Sequence, residues 1–225
     1  MLEVTPSIGT YQEYSLHEEL KNYYKTRTGS TEVKVENYII DVVNDNELIE
    51  VQTRNFSQIR EKLQKLLELN YSVTLVHPIY EEKVFKTTIG EKESIRTSPK
   101  KDNLLQMFNE LVYITDLFSY SNFALEIVFT KVEIIRKKIK SNKYKVFDKK
   151  LLEITRKVQF TKPEDFLFIV PYELQTRLTT KNLMIRMGIP YSLASKMLYF
   201  FAKIKLLRII QKEGNLKIYS VKFDK

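Results

Sequence analysis

Apolar residues recur along the chain with two different periods, and the switches between them mark the elements. Ser15 to Tyr24 (SLHEELKNYY) carries Leu16, Leu20, Tyr23 and Tyr24 on one helical face, with Ser15 placed to cap it and the turn Thr28-Gly29-Ser30 behind it. Asn37 to Val43 and Glu47 to Thr53 are β-branched runs. They are separated by Asn44-Asp45-Asn46, residues that tolerate the left-handed backbone of a tight hairpin. Phe56 to Leu69 returns to the helical period, with Phe56, Ile59, Leu63, Leu66 and Leu67 on one face, and Tyr71 to Ile79 reads as a buried strand. Helix, hairpin, helix and strand in this order predict an α/β or α+β unit built on a mixed sheet.

Beyond residue 80 the pattern is less regular. A basic loop at Arg96 to Lys101 precedes a helix expected from Asn103 to Phe118, an apolar strand-like stretch from Phe123 to Thr130, and charged segments to about Phe160. Order returns in the last sixty-odd residues. Short helices are expected over Pro163 to Val170 and Thr180 to Met187, a turn at Gly188-Ile189-Pro190, a longer helix over Tyr191 to Lys205, and two strands around Glu213-Gly214-Asn215. The resulting division is 1–130 as a first domain, 131–160 as a connector packed on it, and 161–225 as a second domain.

Composition narrows the chemistry. There are no cysteines and only two histidines, which excludes disulfides, thiolate metal sites and cysteine nucleophiles and disfavours zinc. No apolar run is long enough to span a membrane, and Met1 to Pro6 lacks the basic and apolar regions of a signal peptide, so a soluble cytoplasmic protein is expected. The formal charge of +9 is unevenly spread: residues 1–129 sum to −6 and residues 130–225 to +15. A basic half joined to an acidic half suggests a polyanion-binding module attached to something that uses carboxylates.

The hairpin supplies those carboxylates. A two-residue turn at Asp45-Asn46 pairs Val43 with Leu48 and Val42 with Ile49, and sets Asp41 opposite Glu50. Like charges facing each other in apolar strands need a compensating cation or donor. Mg²⁺ or Mn²⁺ fits, because a hard divalent ion takes carboxylate, water and phosphate oxygens and needs no histidine or cysteine. Gln52 lies on the same strand face as Glu50 and can orient water or a phosphate. On the first helix Glu18 points to solvent, while Glu19 and His17 flank the apolar face. Glu19 is the preferred third ligand and His17 a second candidate catalytic residue. His77, before Pro78, reads as a packed strand-end residue. Thr53, Arg54 and Asn55 open the next helix, where they can meet a phosphate or simply cap the helix.

Asp41 followed by Glu50-Val51-Gln52 at the end of the second hairpin strand resembles the D…(D/E)-x-K signature of the PD-(D/E)XK nuclease superfamily, the fold of restriction endonucleases and archaeal Holliday junction resolvases. The resemblance covers roughly residues 13–80 and includes the order of the surrounding elements. It implies a nuclease core with acidic metal ligands at Asp41 and Glu50, joined by an acidic residue of the first helix. Gln52 stands where most of the family has lysine, which removes a positive charge usually near the attacked phosphate; some members of the superfamily are active with glutamine or glutamate there. The resemblance also admits a homodimer cutting both strands.

Residues 161–225 resemble a winged helix in architecture: helix, turn, helix, β-hairpin. Tyr191 to Lys205 takes the place of a recognition helix exposing Tyr191, Ser192, Ser195, Lys196, Tyr199 and Lys203, while Met197, Leu198, Phe200, Phe201 and Ile204 form its core face. The hairpin offers Arg208, Lys212 and Lys217, and the loop at Lys100 and Lys101 a further basic turn. The expected function is a metal-dependent DNA endonuclease acting on duplex or branched DNA. The alternative is a DNA-binding or adaptor protein in which a nuclease fold has lost its chemistry. RNA stays beside DNA as a partner, because basic surfaces do not distinguish sugars.

Overall fold

The computed structural model describes residues 14–141 and 143–222; the Met1 to Pro6 segment lies outside them. The chain opens with helix α1 (Ser15–Tyr24), strands β1 (Ser30–Val35), β2 (Tyr38–Asn44) and β3 (Glu47–Val51), helix α2 (Phe56–Glu68) and strand β4 (Ser72–Ile89). Strand β5 (Lys92–Thr97), a short helix α3 (Phe108–Leu111) and the long strands β6 (Phe123–Lys140) and β7 (Lys143–Phe160) follow. Helices α4 (Thr180–Met187) and α5 (Tyr191–Lys203) and strands β8 (Leu207–Glu213) and β9 (Leu216–Val221) close the chain.

The fold is mixed α+β around one large sheet, ordered β1-β2-β3-β4-β6-β7, with β5 added to the far half of β4. β3, β4 and β6 run parallel and the other pairs antiparallel. Parallel neighbours need crossovers, and α2 supplies the first of them. One sheet face buries Val42, Ile49, Val51, Val76 and Val128 under Leu16 and Leu20 of α1. The other buries Leu48, Val73, Leu75 and Ile127 under α2, α3 and the C-terminal helices.

The middle of the chain departs from expectation. Residues 103–118 do not form one helix but two 3₁₀ turns, Leu104–Met107 and Thr115–Ser119, on either side of α3. The bends bring Met107, Phe108, Leu111, Ile114, Leu117 and Phe118 all into the core, which a straight helix would present over too wide an arc. Residues 131–160 are no connector: the boundary at 130 falls inside β6, and the hairpin with β7 belongs to the sheet. Pro163–Ile169 is a 3₁₀ segment.

In the C-terminal part, Gly188 ends α4 in the left-handed conformation (φ 61°) and Pro190 starts α5. Helix, turn, helix and a separate two-stranded hairpin follow in the expected order, and Met197, Leu198, Phe200, Phe201 and Ile204 are all buried. Among the described residues no helix is long and apolar enough to cross a membrane.

Candidate functional site

The hairpin register is the expected one: Val42 pairs with Ile49, Val43 with Leu48 and Asn44 with Glu47, with Asp45 at φ 49° in the turn. At Asp41 the ladder gives way to side chains. Val51 N–H donates to Asp41 Oδ2 at 2.8 Å, and Asp41 N–H donates to Glu50 Oε1 at 3.3 Å. Side-chain alternation breaks at the same point, so that Ile40 faces the α2 side of the sheet while Val42 faces α1. The two carboxylates thus meet at the edge where β2 leaves β3.

Two further groups close on the pair. His17 Nε2 must carry a proton to bond a carbonyl oxygen; it lies 2.8 Å from Val51 O and 3.2 Å from Asp41 Oδ2. Lys62 of α2 donates its ammonium to Glu50 Oε1 at 2.6 Å and also reaches Ile39 O. Burial opposes ionisation of Asp41, but the His17 bond and charge, the Val51 N–H and the charge of Lys62 hold its carboxyl below the usual range. Glu50 goes the other way. Burial, with the Asp41 charge behind it, pushes its pKa up to about 7 despite Lys62. Sequence reasoning missed Lys62, although its position one turn from both Ile59 and Leu66, at the edge of the apolar stripe of α2, was a usable signal.

Glu19 does not join them. It accepts the Leu151 N–H of β7, because α1 packs across β7 as well as β3. Ser15 likewise meets β7: it is the first helical residue after N-cap Tyr14, and Asp148 accepts from its N–H and hydroxyl at 2.9 and 2.7 Å. Nor do Thr53 or Asn55 cap α2. The N-cap Asn55 makes no side-chain cap bond, and Glu110 of α3 accepts the Phe56 N–H at 3.0 Å.

Beside the pair, at the end of β3 and along the middle of β4, opens a cavity of about 770 Å³ lined by His17, Gln52, Arg54, His77, Tyr80 and Lys149 among others. Gln52 donates to Arg54 O at 2.6 Å, which fixes the strand exit. Burial first, then the charges of Arg54 and Lys83, lower the pKa of Lys149, whose ammonium sits 4.9 Å from the Tyr14 ring centre and 5.3 Å from that of Tyr80. The C-terminal helices reach the same rim, since Lys196 of α5 donates to Asn109 Oδ1 at 2.9 Å and Asn109 lines the cavity. Tyr191, Ser192, Ser195, Tyr199 and Lys203 are exposed along α5. Lys212 and Lys217 face each other at the tip of the β8–β9 hairpin, Arg208 is held by Ser220 Oγ at 3.3 Å, and Lys100 and Lys101 stay exposed in the loop after β5.

His77 is a packed residue, as expected, but it lies inside β4, which runs on to Ile89, and not at a strand end. Its ring meets Phe56 edge to face at 5.1 Å, and Nδ1 lies 2.8 Å from Gln52 O. Burial lowers its pKa. The unfolded chain therefore takes up a proton, as pH falls below about 6.5, that the folded chain refuses, and stability present above that pH is lost below it. His77→Asn keeps the donor and removes the titration. Urea unfolding at pH 7.5 and pH 5 is expected to show wild type losing ground to the variant at the lower pH.

Among the described residues no group of three or more His, Cys, Asp or Glu is arranged to hold a metal ion. The pair leaves Asp41 Oδ1 and Glu50 Oε2 without bonds to the described residues. That donor set fits a Mg²⁺-type ion taking two carboxylates, waters and a substrate phosphate, and does not fit a cage of three protein carboxylates.

Residues 14–161 match the family model described as Domain of unknown function (DUF8091), and the chain belongs to this family. It is 32% identical over 162 residues to a Treponema pallidum (strain Nichols) protein named "Uncharacterized protein", a match covering 68% of this chain and 64% of that relative. The chain thus spans less than two thirds of the relative it matches. No solved structure matches.

Proposed function

We propose that the protein is a metal-dependent DNA nuclease of the PD-(D/E)XK type, with the C-terminal helices and hairpin acting as a winged-helix DNA-binding module. The observation that carries this reading is the meeting of Asp41 and Glu50 across β2 and β3, with Lys62 beside them and a cavity lined by Gln52 and Arg54 next to them. Asp41 and Glu50 would hold Mg²⁺ or Mn²⁺. Such an ion supplies an activated water and charge stabilisation for phosphodiester hydrolysis. His17 fixes the rotamer of Asp41, and Arg54 offers a guanidinium to a phosphate in the cavity. Lys62 brings a positive charge to the acidic pair from α2, so Gln52 need not carry one and is left to position the strand exit. Exposed α5 residues would enter a groove while Lys212 and Lys217 meet backbone phosphate.

One observation favours the adaptor reading: Lys62, His17 and backbone N–H groups already satisfy the pair without an ion. Calorimetric titration of Mg²⁺ and Mn²⁺ into wild type and Asp41→Ala, followed by incubation with plasmid, linear and branched DNA, separates the two. A nuclease binds the ion and cuts, and the variant loses the binding heat and about a hundredfold or more of the cleavage. Wild type that neither binds the ion nor cuts DNA is the adaptor.

A further inference from the structure

β4 and β6 do not stop at the cavity. Paired through Thr88 and Lys137, they run on past Tyr80 with β5 on one side and β7 on the other, forming an arm of four strands. From Thr130 to Lys140, β6 alone extends about 33 Å at ~3.3 Å per residue, close to one turn of duplex DNA at about 34 Å.

The charge of this arm is one-sided. Residues 136–150 hold eight Lys or Arg and a single acid, Asp148, and that acid is engaged by Ser15. In the ladder Lys137 lies directly opposite Lys145, and Lys140 opposite Lys143. Like charges placed cross-strand repel, so these pairs weaken the hairpin that carries them. Among the described residues no carboxylate forms an ion pair with any of the four, and all four are exposed. Arg136 shows the contrast: its guanidinium is held between the rings of Phe85 and Tyr144, 3.7 and 4.0 Å from their centres. It stiffens the base of the hairpin while the lysines beyond it face outward. At the same base Lys149, opposite Ile134, lines the cavity on the α1 face of the sheet, whereas Lys137 and Lys145, next in line to Arg136 and Val146, project from the opposite face.

We infer that the β6–β7 arm is a clamp for the phosphate backbone of duplex DNA, built on its exposed cross-strand lysine pairs; this rests on the nucleic-acid partner in the proposed function but not on cleavage. The recognised chemistry is a regular line of phosphodiester anions, read without sequence preference.

The test replaces Lys137, Lys140, Lys143 and Lys145 together by Gln and follows binding of a fluorescent duplex of about 30 base pairs in EDTA, between about 50 and 200 mM salt. Each lost phosphate contact removes about 0.9 from the slope of log K against log salt, so the slope is expected to fall by roughly 3 to 4. The exposed sites leave the fold intact, and relief of the Lys137–Lys145 and Lys140–Lys143 repulsion is expected to hold or raise the melting temperature. An unchanged slope overturns the clamp, as does wild type that binds no duplex, or binds duplex RNA or anionic vesicles more tightly than DNA. Wild type that cuts DNA while the slope is unchanged leaves the nuclease and removes the clamp. A reduced slope in a protein without metal-dependent cleavage supports the clamp and removes the nuclease.

Discussion

Lys62→Met is expected to cost about 3–5 kcal/mol of stability at pH 8 and far less at pH 5. The ammonium and its partner are both largely out of water, with side chains 17% and 7% exposed, so removing one partner strands a buried charge. The pH dependence follows from Glu50. Its folded pKa, about 7, is above the ordinary value of 4.5, so the stability this group contributes is full below about 4.5 and is lost as pH rises through 7. In wild type the loss is on the order of 3 kcal/mol, since one unit is worth about 1.4. Without Lys62 the same carboxyl faces Asp41 with no ammonium between them, and its pKa climbs further. At pH 8 the fold must then keep Glu50 protonated or bury two charges side by side. At pH 5 Glu50 is protonated in both proteins, and what is missing is the bond of Lys62 to Ile39 O and its attraction to Asp41. Met is close to the lysine stem in length, which keeps the apolar part of the side chain in place. Denaturant unfolding at the two pH values measures the difference, and adding Glu50→Gln to the variant is expected to restore most of the loss at pH 8. An equal loss at both pH values would mean that the lysine stem, and not its charge, holds the site.

The parts of this site that could be read from the sequence are those fixed by local rules. Asn44-Asp45-Asn46 admits a two-residue turn, the turn fixes the register, and the register carries Asp41 to the neighbourhood of Glu50, where side-chain bonds at the end of the ladder complete the meeting. α2 was legible from its period, and α4, α5 and the last hairpin from Gly188, Pro190 and Gly214. What escaped depends on partners distant in sequence. β7 does not alternate, because its pairing with β6 shifts register along the strand; its exposed positions are so often lysine that it reads as a charged linker, and its inward residues Val146, Leu151 and Ile154 make sense only beneath α1. Once β7 is absent from the sheet, Glu19 has nothing to face and is drawn toward the acidic pair. With β7 in place it caps a strand N–H, and His17, two residues earlier, is the one that reaches Asp41. Lys62 was hidden for the same reason: a lysine on a helix face reads as solvated until the fold sets a buried carboxylate beneath it.

Phe166→Ala is expected to lower stability by about 3–5 kcal/mol and to do so for the whole chain at once. Phe166 is fully buried. Its ring stacks on Phe160 at 4.2 Å and meets Phe118 at 5.3 Å and Phe200 at 5.0 Å, so it ties the end of β7 to the segment before β6 and to α5. Among the described residues no backbone hydrogen bond links the β8–β9 sheet to the large sheet, and the two halves are joined by this aromatic contact and its neighbours. The apolar core nevertheless runs unbroken from Ile40 in β2 to Val221 in β9. A core shared in this way should unfold as one unit, and emptying its centre should shift a single transition without splitting it. For a chain of this size the melting midpoint is expected to fall by roughly 6–20 °C. Far-ultraviolet circular dichroism reports the β-rich body, tyrosine fluorescence samples both halves, and the two are expected to fall together. Two separated transitions would mean that residues 161–225 fold independently. A single one means that α5 and the Asp41–Glu50 pair sit at fixed positions on one body, the condition that the proposed nuclease requires of them.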